Sequence, residues 1–142
     1  MLVRHTLAVL LLLACAPAWA QAPDPAPAAR AARRFPQPVR VGDLIRRQVL
    51  RPVEQQDVLG RVAAVVRRPD GAVLIVVSLG GVLGVGTRPV AVPVEAAALL
   101  GEHVTVLDLT PEQLRALPTF DGAAAALAPD EVIRVGLARP FH

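Results

Sequence analysis

Residues 58–79, VLGRVAAVVRRPDGAVLIVVSL, decide how the rest of the chain is read. In the first half, Val58, Gly60, Val62, Ala64 and Val66 share one parity while Arg61 and Arg67 share the other, the two-residue period of a strand with one face inward. Arg68-Pro69-Asp70-Gly71 then supplies a fixed φ, a short acceptor side chain and a cheap positive φ, which together make a tight turn. The second half, from Ala72 to Leu79, is apolar on both faces and rich in β-branched residues, as a deeply buried strand requires. The stretch is a β-hairpin, so the fold built around it is expected to be all-β.

Strand signals continue downstream. Gly80-Gly81-Val82-Leu83-Gly84-Val85-Gly86 is a glycine-rich connection, and Val90, Val92 and Val94 then alternate in a strand that Pro93 confines to an edge or bulge. Glu95 to Gly101 reads as a short helical turn and His103 to Leu107 as a further strand. Thr110-Pro111-Glu112-Gln113 combines an N-cap threonine, proline at the first helical position and a capping-box glutamine, predicting a short helix to Ala116, stopped by Pro118. Residues 119–142 form an Ala-rich tail in which Val132, Ile133, Val135 and Leu137 fit either a strand or a short helix.

Upstream, residues 1–20 read as a secretory signal: Arg4 and His5, an apolar run from Leu7 to Ala14, and Ala18-Trp19-Ala20 before Gln21. Cleavage after Ala20 places the protein in the periplasm. The competing reading is a lipoprotein signal with Cys15 acylated. Residues 21–40 form a Pro/Ala/Arg linker, because prolines at this density exclude helix. The folded unit is expected over residues 41–118.

The chain has 142 residues, 54% hydrophobic and 19% charged, which excludes a disordered solvating protein. All 15 basic residues are arginine. Residues 21–51 carry seven arginines against Asp24 and Asp43, a net of +5, whereas residues 52–142 sum to −3. Beyond the signal there is no Lys, Cys, Tyr or Trp and only one serine, Ser78, which lies inside a buried strand pattern. His103 stands beside Glu102 and near Asp108, but residues 102 and 103 point to opposite faces of a strand and no second histidine is close in sequence. The glycine loop lacks the Gly-Lys-Ser/Thr ending of a phosphate loop and leads into a strand. No catalytic, metal or cofactor residues are therefore assigned, and nucleic acid is not an expected partner. Two interaction candidates remain: the loop-tip residues Val82, Leu83 and Val85 for a protein partner, and Arg33, Arg34, Arg46 and Arg47 for anionic lipid or another anion.

Taken together, Gly42-Asp43-Leu44-Ile45, Leu59-Gly60-Arg61-Val62, Asp70-Gly71, the loop Gly80 to Gly86 and the strand Val90 to Pro93 resemble the PRC-barrel family over residues 41–120. The likeness departs at Val82 and Val94, where an aromatic is common, and at Thr87-Arg88-Pro89. The resemblance implies a small all-β PRC-type barrel with a short C-terminal helix. It also implies an adaptor rather than an enzyme, since the module occurs in a photosynthetic reaction-centre subunit and in a ribosome-maturation factor. The expected function is that of an exported, non-enzymatic interaction or scaffold module whose partner is another envelope protein. The alternative is an envelope-tethered protein that binds anionic lipid through the Arg-rich segment.

Overall fold

The computed structural model describes residues 34–51, 57–80 and 86–138. In chain order the elements are β1 (Gln37–Arg40), α1 (Val41–Leu44), β2 (Gln48–Leu50), β3 (Val58–Arg67), β4 (Val73–Leu79), β5 (Arg88–Pro93), a 3-10 turn (Val94–Ala96), β6 (Ala97–Leu100), β7 (His103–Val106), α2 (Pro111–Ala116), β8 (Ala125–Ala126) and β9 (Val132–Leu137). The protein is mostly β, as the strand patterns required.

The β3–β4 hairpin is present as read. The Gly71 amide donates to the Arg68 carbonyl, Gly71 takes φ 87°, and Asp70 accepts from the Ala72 amide at 3.0 Å. Its inward face differs from the expectation. The pairing shifts between Val62, opposite Val77, and Ala64, opposite Val76, so one extra residue bulges out and the parity reverses. Val62 and Val65 therefore enter the core, while Val66 is buried outside that cluster.

The strands form one sheet in the order β1-β9-β6-β7-β2-β3-β4-β5, with β8 beside β3. Most pairs are antiparallel, but β2 runs parallel to β7 and β6 parallel to β9. Strands from both sides of this order feed the same core: Val90 and Val92 come from β5, Ile133 and Val135 from β9, and Val39 of β1 packs against it. The sheet thus curls around its apolar face, with Leu44 and Leu114 filling from α1 and α2.

It does not close, which corrects the barrel expectation. Between β5 and β1 no strand pairing exists among the described residues. The reasons lie at the two edges. Along β5, Thr119 forms a bridge to Val90 and the Phe120 amide donates to the Pro89 carbonyl at 2.8 Å, so residues 117–120 occupy the edge. Along β1, the Val41 amide donates to the Glu131 carbonyl and Val39 lies opposite Ile133, so alternation turns Pro38 and Arg40 to the free side. Pro38 has no N–H to offer there.

Two further expectations change. Glu95 to Gly101 is helical only from Val94 to Ala96; Ala97–Leu100 is a strand lying between β7 and β9, where small side chains fit a position flanked on both sides. Tertiary pairing overrides the helix preference of Ala and Leu. The linker expected to reach residue 40 ends earlier, since Gln37–Arg40 pairs with β9; proline is tolerated because β1 is an edge strand. The tail of residues 119–142, left open between strand and helix, supplies β8 and β9.

Candidate interaction surfaces

One groove, of about 530 Å³, opens where β3 begins, β4 ends, β5 begins and α2 crosses. Val58, Leu59, Leu79 and Leu114 give it apolar walls, and Pro111, Gly80, Gly86, Arg88 and Arg115 complete its lining. Each wall has a local cause. A Cβ on Gly60 would lie 2.0 Å from the Ser78 carbonyl oxygen, so only glycine lets β3 approach β4 at this height. Leu59 is thereby set against the end of β4, and its carbonyl accepts from the Gly80 amide at 3.1 Å. Gly80 and Gly86 both take positive φ, 70° and 78°, as the corners of a loop that leaves and re-enters the sheet.

The other wall depends on α2. Thr110 Oγ1 accepts from the Gln113 amide at 3.1 Å, and Gln113 Oε1 accepts from the Thr110 amide at 2.9 Å, closing the capping box. This start aims Leu114 into the core, where it is 2% exposed. Arg88 secures the far end by donating to the carbonyls of Leu117, at 2.6 Å, and Arg115. These two bonds satisfy carbonyl groups that a helix C-terminus leaves without partners. The Arg88 guanidinium is accordingly part of the wall.

Val82, Leu83 and Val85 lie outside the described residues, as does Arg33. The other three arginines expected to meet an anion are used very differently. Arg34 turns inward: its Nη2 donates to both carboxylate oxygens of Asp108 at 2.9 Å and its Nη1 to the Glu95 carbonyl at 3.0 Å, with side-chain exposures of 15% and 9% for the pair. Gly136 makes room for it, because a Cβ there would stand 2.8 Å from the Arg34 Cβ. Arg34 is thus an internal clasp, which corrects its assignment as an exposed anion contact. Arg47 donates to the carbonyls of Asp43 and Gly101, stapling α1 to the β6–β7 turn. Arg46 is exposed, and its backbone takes φ 70°.

The positions weighed for chemistry sit as follows. Ser78 is half-buried in β4, opposite Arg61 on one side and Pro89 on the other. His103 is half-buried in β7, and its Nδ1 is enclosed without a hydrogen-bond partner among the described residues. Among those residues no three His, Cys, Asp or Glu side chains gather as a metal set. Asp70 has its carboxyl held below the ordinary value, first by the Ala72 amide and then by Arg68. The sequence reading passed over Arg88 and Leu114 as site residues. Thr110-Pro111 with Gln113 pointed to the helix that carries Leu114, but nothing local to Arg88 shows that its partners are carbonyls 27 and 29 residues away.

Compared with protein-family models and with curated proteins, the chain matches none.

Proposed function

We propose that this chain is an exported, non-enzymatic PRC-barrel protein, in an open form of the barrel, acting as a protein-interaction module in the periplasm. The observation that carries the reading is the apolar groove whose lining includes Gly80 and Gly86, the two ends of the glycine loop. In this reading one partner contacts both the groove and Val82, Leu83 and Val85, which the sequence places between Gly80 and Gly86. The partner is another envelope protein.

The test places a photo-crosslinking residue at Leu83 or, as a control, at Arg61, in the native envelope at low and high salt, with mass spectrometry of the captured species. A protein captured from position 83 only, resistant to salt and lost on Val58→Asp, supports the reading. Equal capture from both positions overturns it. Ser78→Ala and His103→Ala are expected to leave capture unchanged; loss of capture by a folded variant counts against a non-enzymatic role. The mature N-terminus, read in the same experiment, is expected at Gln21 rather than at an acylated Cys15.

A second reading, an envelope-tethered protein meeting anionic lipid through its Arg-rich N-terminal segment, is favoured by the charge imbalance between residues 21–51 and the rest of the chain. Salt separates the two, because ionic strength screens a charged contact and spares an apolar one.

A further inference from the structure

On the side of β1 and β9 that faces away from the core, four neighbouring side chains are exposed: Pro38 and Arg40 on β1, Arg134 and Val132 on β9. The register sets Pro38 opposite Arg134 and Arg40 opposite Val132, so cations and apolar groups alternate in a two-by-two block. The two guanidinium-bearing positions are diagonal neighbours, roughly 7 Å apart at their Cβ atoms.

Neither is compensated. Among the described residues Arg34, Arg51, Arg67, Arg68 and Arg115 each pair with a carboxylate, whereas Arg40 and Arg134 have none within ion-pair distance. Arg134 makes only a long bond, 3.5 Å, to the Pro36 carbonyl. The acid nearest to Arg134 in sequence, Glu131, is taken by Arg67 at 2.8 Å. Two like charges on adjacent strands repel, and a phosphodiester placed over them relieves that repulsion.

Among the described residues four large hydrophobics stand out from the surface, and two of them adjoin this block: Val132 at 54% within it and Phe35 at 64% just before β1. Phe35 also holds φ at 52°, a conformation uncommon for a residue with a side chain, while its ring stays in solvent. The edge itself is a poor template for a strand from another protein, because Pro36 and Pro38 remove donors from its free side and leave only the Arg40 amide there within β1. Upstream of Phe35 the sequence carries Arg33 and, three residues earlier, Arg30.

We infer that the outward face of β1 and β9, with Arg40 and Arg134 as phosphate contacts and Val132 as a shallow apolar anchor, docks on an anionic bilayer surface, with the exposed Phe35 just before β1 as a second anchor. The inference rests on the second reading above but moves the contact from Arg46, Arg47 and the N-terminal segment to a folded face. Cations beside exposed aromatic and aliphatic groups match the interface between headgroups and acyl chains.

The experiment is flotation of the natively processed protein with phosphatidylcholine vesicles, with and without an equal share of phosphatidylglycerol. Binding is expected only with phosphatidylglycerol, weakened at high salt and not displaced by inorganic phosphate at matched ionic strength. Arg40→Gln with Arg134→Gln is expected to lower partitioning by about tenfold or more. Phe35→Gly, which relieves the backbone as it removes the ring, lowers it by several-fold. Arg61→Gln with Arg68→Gln changes net charge equally and is expected to have a much smaller effect. If wild type fails to bind phosphatidylglycerol vesicles, the lipid reading and this face fall together. If wild type binds and the Arg40/Arg134 variant binds equally, while Arg30→Gln with Arg33→Gln does not, the face is overturned and the N-terminal segment is the contact. Displacement by free phosphate overturns a bilayer surface in favour of a simple anion site.

Discussion

The two edges of this sheet meet the same hazard by different means. An edge strand leaves a row of unpaired amides and carbonyls that invites another chain. At β5 the protein covers the row with its own backbone: Thr119 bridges Val90, Phe120 donates to Pro89, and Arg88 ties down the carbonyls that lead there. At β1 the row is left open, but Pro36 and Pro38 thin its donors, leaving the Arg40 amide as the one β1 donor on the free side. Covering uses tertiary structure and fails if that structure loosens. Removing donors is written into the covalent chain and survives partial unfolding.

The largest expected effect comes from uncovering β5. Leu114→Ala removes the side chain that pins α2, at a cost of about 3 kcal/mol, readable as a lower urea midpoint. If the cover depends on this pin, the Phe120 amide also exchanges with solvent faster than the β3–β4 ladder does. Unclasping the β1 side should cost less. Arg34→Ala removes the part-buried bonds from Arg34 to both oxygens of Asp108 and the bond to the Glu95 carbonyl, and is expected to destabilise by about 2 kcal/mol. A double-mutant cycle with Asp108→Ala measures how much belongs to the pair.

Arg88→Ala removes two bonds to main-chain carbonyls and is expected to cost about 1 kcal/mol, with its effect on exchange confined to residues 117–120. Pro36→Val with Pro38→Val should shift stability by only about 0.5 kcal/mol. Its signature is association: light scattering should show concentration-dependent dimers or larger species that the parent protein does not form. A variant that stays as monodisperse as the parent would remove the prolines from the comparison. The smallest effect serves as a reference away from both edges. Asp70 has a lowered pKa when folded, so its contribution is present above the ordinary value of 3.8 and fades as pH falls through the folded value. Asp70→Asn should remove that part of the acid dependence and leave Phe120 exchange unchanged.

How legible the molecule was in its sequence follows how local each instruction is. The Arg68 to Gly71 turn and the Thr110 to Gln113 box are complete within four residues, and both stand where the pattern put them. The 3.6-residue and two-residue periods do not separate Ala97 to Leu100, because four small or apolar residues satisfy either; pairing with β7 and β9 decides for strand. The bulge in β3 is also non-local, since it is defined by the pairing of Val62 and Ala64 with Val77 and Val76. Arg34 shows the same limit at the site. Its charge is plain in the sequence, but the space that Gly136 leaves for it and the carboxylate of Asp108 are brought near only by β1 and β9 pairing.

That pairing joins Gln37 to Val135, so the first strand of the sheet finds its partner almost at the other end of the chain. A nascent polypeptide that has emerged through α2 already holds every strand of the β2 to β7 region, yet it has nothing against which β1 can lie. Such distant contacts form late, after the entropy of bringing the ends together has been overcome. Completion of the sheet therefore waits for residues 132–137: a chain truncated before Val132 would keep its central hairpin and leave residues 34–40 without a fixed place.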